Sequence, residues 1–177
     1  MADFIVEDGT GVAGANALFS AEDVEKVAEA FGFEAFDDLD TDDKQAAIVR
    51  VSAWLSAAFD WLGRRTHGRD QGLAWPRAGV VDAEGNEIAD DEMPDELLTA
   101  LVMALYVDVA NPGSLSPTTV FSEQVVREKI GPIDLTYKDA SGADAVRPIV
   151  WGVNDALRGL VHRLPGDRVC GVGIVWI

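Results

Sequence analysis

The chain has 177 residues, enough for one domain with a real core or for one domain carrying ordered arms. Lys+Arg number 14 against 31 Asp+Glu, a formal net charge of -17, so the molecule as a whole repels nucleic acid unless a local patch overrides its field. No apolar run approaches the roughly 20 residues that span a bilayer. The start Met1-Ala2-Asp3-Phe4 lacks the basic, apolar pattern of a secretion signal, and the single Cys170 excludes an internal disulfide, which fits synthesis in a reducing cytoplasm.

Phe4-Ile5-Val6 reads as extended and runs into the breaker cluster Gly9-Thr10-Gly11. Ser20 is an N-cap for a short helix closed near Gly32, with Val24, Val27, Ala28 and Phe31 at helical spacing. A longer helix is predicted from Thr41, capped by its hydroxyl, to Gly63-Arg64-Arg65, whose cations suit a helix C-terminus. Ala47, Val51, Trp54, Ala58 and Trp61 form one line along it and Ile48, Leu55, Phe59 and Leu62 the neighbouring lines, an apolar surface wide enough for contact on more than one side.

Residues 67–94 read as loop, with a turn at Asp82 to Asn86. Pro94 opens the next helix, in which Leu97, Leu101, Leu105 and Val109 form a stripe stopped by Asn111-Pro112-Gly113. Two extended runs, Val120–Ile130 and Ile133–Lys138, flank Gly131-Pro132 and predict a β-hairpin. A last helix follows Pro148 through Ile149, Val153, Leu157, Leu160 and Val161. Beyond Pro165-Gly166 lies a Gly-rich, β-branched tail. The fold class is therefore mainly α: a small helical bundle with an inserted β-hairpin at about 120–138 and extended terminal arms. It divides into a body, residues 1–164, and a tail, residues 165–177.

No pattern carries catalysis, a metal or a cofactor. Gly9, Gly11 and Gly14 have dinucleotide-loop spacing, but no helix begins inside the motif, so it reads as a turn. Asp38, Asp40 and Asp42 start like a calcium loop, yet its sixth and twelfth positions hold Asp43 and Val49 instead of Gly and Glu; an acidic helix start fits better, and Asp90-Asp91-Glu92 reads the same way. His67 and His162 have no second ligand at metal spacing, and an enzyme would need one of them in a polar pocket formed only by the fold. Trp54, Trp61, Trp75 and Trp151 lie within or beside predicted helices and read as core. The strongest nucleic-acid candidate is Arg64, Arg65 and Arg69, with Trp75 for base stacking and Arg77 beside it. Against this, Arg64 and Arg65 serve equally as a helix end and Trp75 as a core anchor. Val172, Ile174, Val175, Trp176 and Ile177 form an apolar, strand-prone stretch suited to its own sheet or to another chain's edge.

A family resemblance rests on Phe4 to Gly11 with Asn16-Ala17, on Lys44 to Ala47 opening a helix that ends Trp61 to Arg65, and on Leu73 to Val80. Ile88 to Leu98 and Val126 to Ile133 complete it. The loop Trp75-Pro76-Arg77, preceded by Ala74, is the most specific piece. These residues resemble the head–tail connector (adaptor) proteins of tailed bacteriophages, a family also labelled DnaT-like single-stranded DNA-binding proteins. The resemblance implies a virion structural protein at the head–tail interface, made in the bacterial host. It would form a homo-oligomeric ring of about twelve copies by cyclic closure, beneath the portal protein and above a stopper or tail protein. DNA would pass through its lumen without specific binding, and Val172 to Ile177 would dock on the portal. The label itself supplies a second reading, a single-stranded DNA-binding replication accessory contacting DNA through Arg64, Arg65 and Arg69.

Overall fold

A computed structural model describes residues 3–116, 127–130, 133–136 and 150–163. Helix α1, Ala21–Ala30, starts where Ser20 accepts the Asp23 amide at 3.1 Å, as its sequence predicts, and Gly32 turns the chain out of it at φ 70°. One turn of helix, α2 (Glu34–Asp37), follows, then α3 (Thr41–Ala58). The cap of α3 is Asp40, not Thr41: its carboxylate accepts from the Asp43 amide at 2.9 Å, and Thr41 is the first helical residue.

Helix α3 also ends earlier than its apolar spacing predicts. Phe59 is already extended, and Asp60–Trp61 form strand β1, paired antiparallel with β8, Val161–Arg163. Leu62 extends the contact by donating to the Leu160 carbonyl at 3.0 Å. Arg64 and Arg65 therefore do not sit at a helix end. They form β2, which pairs with β3, Arg77–Ala78. The stretch expected to be loop holds a further ladder, β4 (Val80–Val81) with β5 (Glu87–Ile88).

Helix α4, Asp95–Ala110, is the centre of the molecule, packed by α1, α2, α3 and α5. Its stripe Leu97, Leu101 and Leu105 is fully buried, but so are Ala100, Val102 and Ala104 on its other sides. A helix apolar around most of its circumference is covered around most of it. Helix α5, Trp151–Ala156, is shorter than predicted: Val153 belongs to it, whereas Leu160 and Val161 are buried from the turn and strand after it. The predicted hairpin appears as β6, Arg127–Ile130, against β7, Ile133–Thr136. The architecture is mixed α and β rather than mainly α, with four small antiparallel strand pairs among the described residues and no closed sheet. The longer limits predicted for the hairpin, and the tail 165–177, lie outside the described residues.

The apolar surface of α3 is spent within the chain. Ala47, Ile48, Val51 and Leu55 are buried together with residues of α1, α4 and the loops. Two serines one turn apart anchor those loops: Ser52 Oγ accepts the Leu18 amide at 3.0 Å and Ser56 Oγ the Ala74 amide at 3.1 Å. Near the end of α3 the rings Trp54, Phe59, Trp61 and Trp75 follow one another edge to face at 5.6, 5.8 and 6.1 Å, the tilted geometry that aromatic quadrupoles favour. Trp61 and Trp75 are core, as predicted, and Trp54 is half-buried; Trp151, predicted to be core, is 68% exposed at the first position of α5.

The predicted turn at Asp82 closes β4 on β5. Asp82 Oδ1 accepts from the Glu84 and Asn86 amides, each at 2.8 Å, and Oδ2 from the Asn86 side-chain amide at 2.9 Å. These bonds, that of the Asn86 side chain first, hold the Asp82 carboxyl below its ordinary range. A depressed folded-state value stabilises the turn above the unfolded value of about 4 and is lost as pH falls through the folded value. In an NMR pH titration the Asn86 backbone and side-chain amides should shift together below pH about 4, and Asp82→Ala should abolish that coupled transition.

Candidate nucleic-acid interface

Gly63 makes the turn from β1 into β2 at φ 62°, and a Cβ there would lie 2.4 Å from the Ala78 carbonyl oxygen, so the cationic segment begins from a corner only glycine fits. Arg64 then faces Ala78 across the ladder and Arg65 faces Arg77. The segment turns back through Gly68, whose amide donates to the Arg65 carbonyl, and through Asp70, whose amide donates to His67. Gln71, 2% exposed, is the internal strut of this turn. Its Oε1 accepts the His67 amide at 3.3 Å, and its Nε2 donates to the Leu73 and Pro76 carbonyls at 3.1 and 3.0 Å. Nothing in the sequence marked Gln71, because a single buried amide leaves no periodic signature.

Arg64 and Arg69 are exposed, and Arg65 is half-buried with Nη1 donating to the Gln71 carbonyl at 3.2 Å. Among the described residues no carboxylate pairs with any of the three. Four other cations are engaged: Lys26 with Glu22, Lys44 with Glu25, Arg50 with Asp108 and Arg158 with Asp155. The three arginines grouped from the sequence thus share one turn and keep charge facing water.

The aromatic half of the expected patch is not available. Trp75 is fully buried, so no base stacks on it. Arg77 is buried as well. Its guanidinium donates to the Leu62 carbonyl, to Gly63 at 2.9 Å, to Ala74 at 3.1 Å and to Trp61 at 3.4 Å. Burial first, and then the neighbouring Arg65 charge, push its pKa below the ordinary arginine value, with Asp60 opposing. Trp75-Pro76-Arg77 is therefore a scaffold beneath the cationic turn. The sequence could not separate Arg77 from Arg64, Arg65 and Arg69, since only the fold decides which guanidinium meets carbonyls and which meets solvent.

The glycine loop is occupied by the chain itself. Glu7, 4% exposed, points Oε1 into the loop and accepts the Gly11 amide at 2.8 Å and those of Asp8, Gly9 and Val12 each at 3.2 Å. Such a ring of amides is an anion cradle, and here its anion is built in. The Asp91 carbonyl and the His67 ring close over Gly9 and Gly11, where a Cβ would meet them at 1.9 and 2.0 Å. The dinucleotide spacing is thus a turn closed on Glu7. Both His67 and His162 are exposed, and no group of three potential metal ligands occurs among the described residues. Val172, Ile174, Val175, Trp176 and Ile177 lie outside the described residues.

Two substitutions test this framework. Glu7→Ala leaves four amides without their acceptor and should cost on the order of 3 kcal/mol, read as a fall in the urea midpoint at unchanged slope. Arg77→Ala should cost about as much, and Arg77→Lys should recover less than half of it, because one ammonium does not reproduce a planar fork reaching four carbonyls. Circular dichroism during urea titration measures both.

A family model with the description "Putative DnaT-like ssDNA binding protein" matches residues 2–172. No curated protein and no solved structure matches the chain. The family description overturns the expectation of a virion structural protein, a portal-binding adaptor ring, and agrees with the single-stranded DNA-binding reading that stood beside it. The wide apolar surface of α3 contributes Ala47, Ile48, Val51 and Leu55 to the chain's own core. With the match running over nearly its whole length, the chain belongs to the family of DnaT-like single-stranded DNA-binding proteins.

Proposed function

We propose that this protein binds single-stranded DNA, in a non-catalytic role, through the turn that carries Arg64, Arg65 and Arg69. The observation behind this reading is that these three cations share one turn and have no acidic partner among the described residues, while Lys26, Lys44, Arg50 and Arg158 are neutralised and Arg77 is spent on carbonyls. The family description points the same way. With Trp75 buried, the turn offers guanidinium forks to phosphates and no stacking surface of its own. Contact of that kind follows the backbone and does not read base sequence. The net charge of -17 opposes the approach of DNA, so affinity depends on the local patch and is sensitive to salt.

Fluorescence anisotropy with a labelled oligo-dT over a range of NaCl concentrations tests the proposal. Three phosphate contacts on a single strand predict a slope of log K against log salt of about -2. Charge reversal at Arg64, Arg65 and Arg69 together should abolish binding; reversal at the exposed Arg64 and Arg69 alone, which spares the Arg65 bond to Gln71, should weaken it while leaving the thermal transition in place. A slope near zero, or unchanged affinity in the triple variant, would remove this turn as the DNA site.

A further inference from the structure

A second surface of opposite character lies where α1, α2 and α4 meet. The packed stripe of α1 runs Val24, Val27, Ala28, Phe31; Val24 and Ala28 are fully covered, but the helix ends at Ala30 and leaves Phe31 55% exposed. After Gly32 the chain turns inward at Phe33, 5% exposed, which stacks on Phe36 at 6.0 Å and lies tilted against Tyr106 of α4 at 4.9 Å. Tyr106 is itself 61% exposed. Phe33 and Tyr106 are in ring contact, and Phe31, two residues before Phe33 in the chain, adds a second exposed ring to what we call the aromatic ridge.

The segment that builds the ridge is acidic throughout. Residues 27–43 contain Glu29, Glu34, Asp37, Asp38, Asp40, Asp42 and Asp43 and no Lys or Arg. Glu29, Glu34, Asp37 and Asp38 are exposed, and none has a basic partner among the described residues. Glu29 also stands in the last turn of α1, where the helix dipole is negative and no cation offsets it. That placement works against helix stability and strengthens the negative field over the ridge. Phosphates are repelled here, so this surface is not a second part of the DNA site.

We infer that the Phe31–Phe33–Tyr106 ridge docks a Lys/Arg-rich, apolar-anchored segment of a partner protein. Apolar side chains of that segment pack on the exposed rings, and its cations meet Glu29, Glu34, Asp37 and Asp38. An aromatic centre with a charged rim is how protein interfaces combine anchoring with selectivity, and a basic amphipathic helix fits the pattern. The inference is independent of whether Arg64, Arg65 and Arg69 bind DNA.

The test uses the full chain and two synthetic peptides of equal positive charge, one pairing Lys with Leu at helical spacing and one replacing Leu by Ser. By anisotropy at physiological salt the Lys/Leu peptide should bind at least about tenfold tighter than the Lys/Ser peptide. Phe31→Ser with Tyr106→Ser should erase that difference, and Glu34→Lys with Asp37→Lys should weaken both peptides. The second pair of changes falls on exposed side chains and keeps the test valid if the first pair unfolds the protein. Equal affinity for the two peptides, or binding untouched by the charge reversals, would overturn the inference. So would loss of oligo-dT binding in the Phe31→Ser, Tyr106→Ser protein, which would make the ridge a nucleic-acid surface.

Discussion

The guanidinium of Arg77 is the contact on which the region after α3 depends. Four carbonyls from Trp61, Leu62, Gly63 and Ala74 converge on it, so strand β1, the glycine corner and the Trp75 loop are held by one side chain. None of those carbonyls belongs to a long ladder; the strands here are only two residues each. Short strands leave backbone groups without neighbours, and a buried polar group left unmatched is costly. Arg77 supplies the missing donors from a rigid planar fork. The exposed arginines above it keep their positions because the buried one below is fixed.

The same economy recurs elsewhere. Glu7 gathers four amides of the glycine loop, Ser52 and Ser56 take one loop amide each, and Gln71 ties a turn to the loop below. Irregular backbone makes up much of this molecule, and single buried polar side chains do for it what ladders do for a sheet. Apolar packing is concentrated on α4, whose neighbours cover it from several sides.

What the sequence revealed follows from the range of the forces involved. Helices α1 and α4 were legible because their signals are local: Ser20 and Gly32 bound the first, and Pro94 and Asn111 the second. The end of α3 was not, because Trp61 and Leu62 keep helical spacing while their backbone is claimed by Leu160 and β8 from the far end of the chain. Pairing at that range overrides local preference. The cationic group at Arg64, Arg65 and Arg69 was visible as a charge cluster. Trp75 was legible as a core anchor beside its alternative as a stacking ring, but the roles of Arg77, Glu7 and Gln71 were not, since burial alone separates a phosphate ligand from a structural group. Mixed rather than mainly α character escaped for the same reason: strands of two residues are too short to show alternation.

Helix α5 and strand β8 are the last described elements in the chain, yet they lie against α4 and β1, which are made much earlier. During synthesis, helices α1 to α4 leave the ribosome before the α5–β8 segment that packs on α4 and β1 exists. Until Gly152 reaches Met103 and Val161 reaches Trp61, the centre of the core faces water and β1 offers a bare edge. A chain that stops after α4 lacks the cover of its central helix and the partner of β1, so it is an unfinished core rather than a smaller domain.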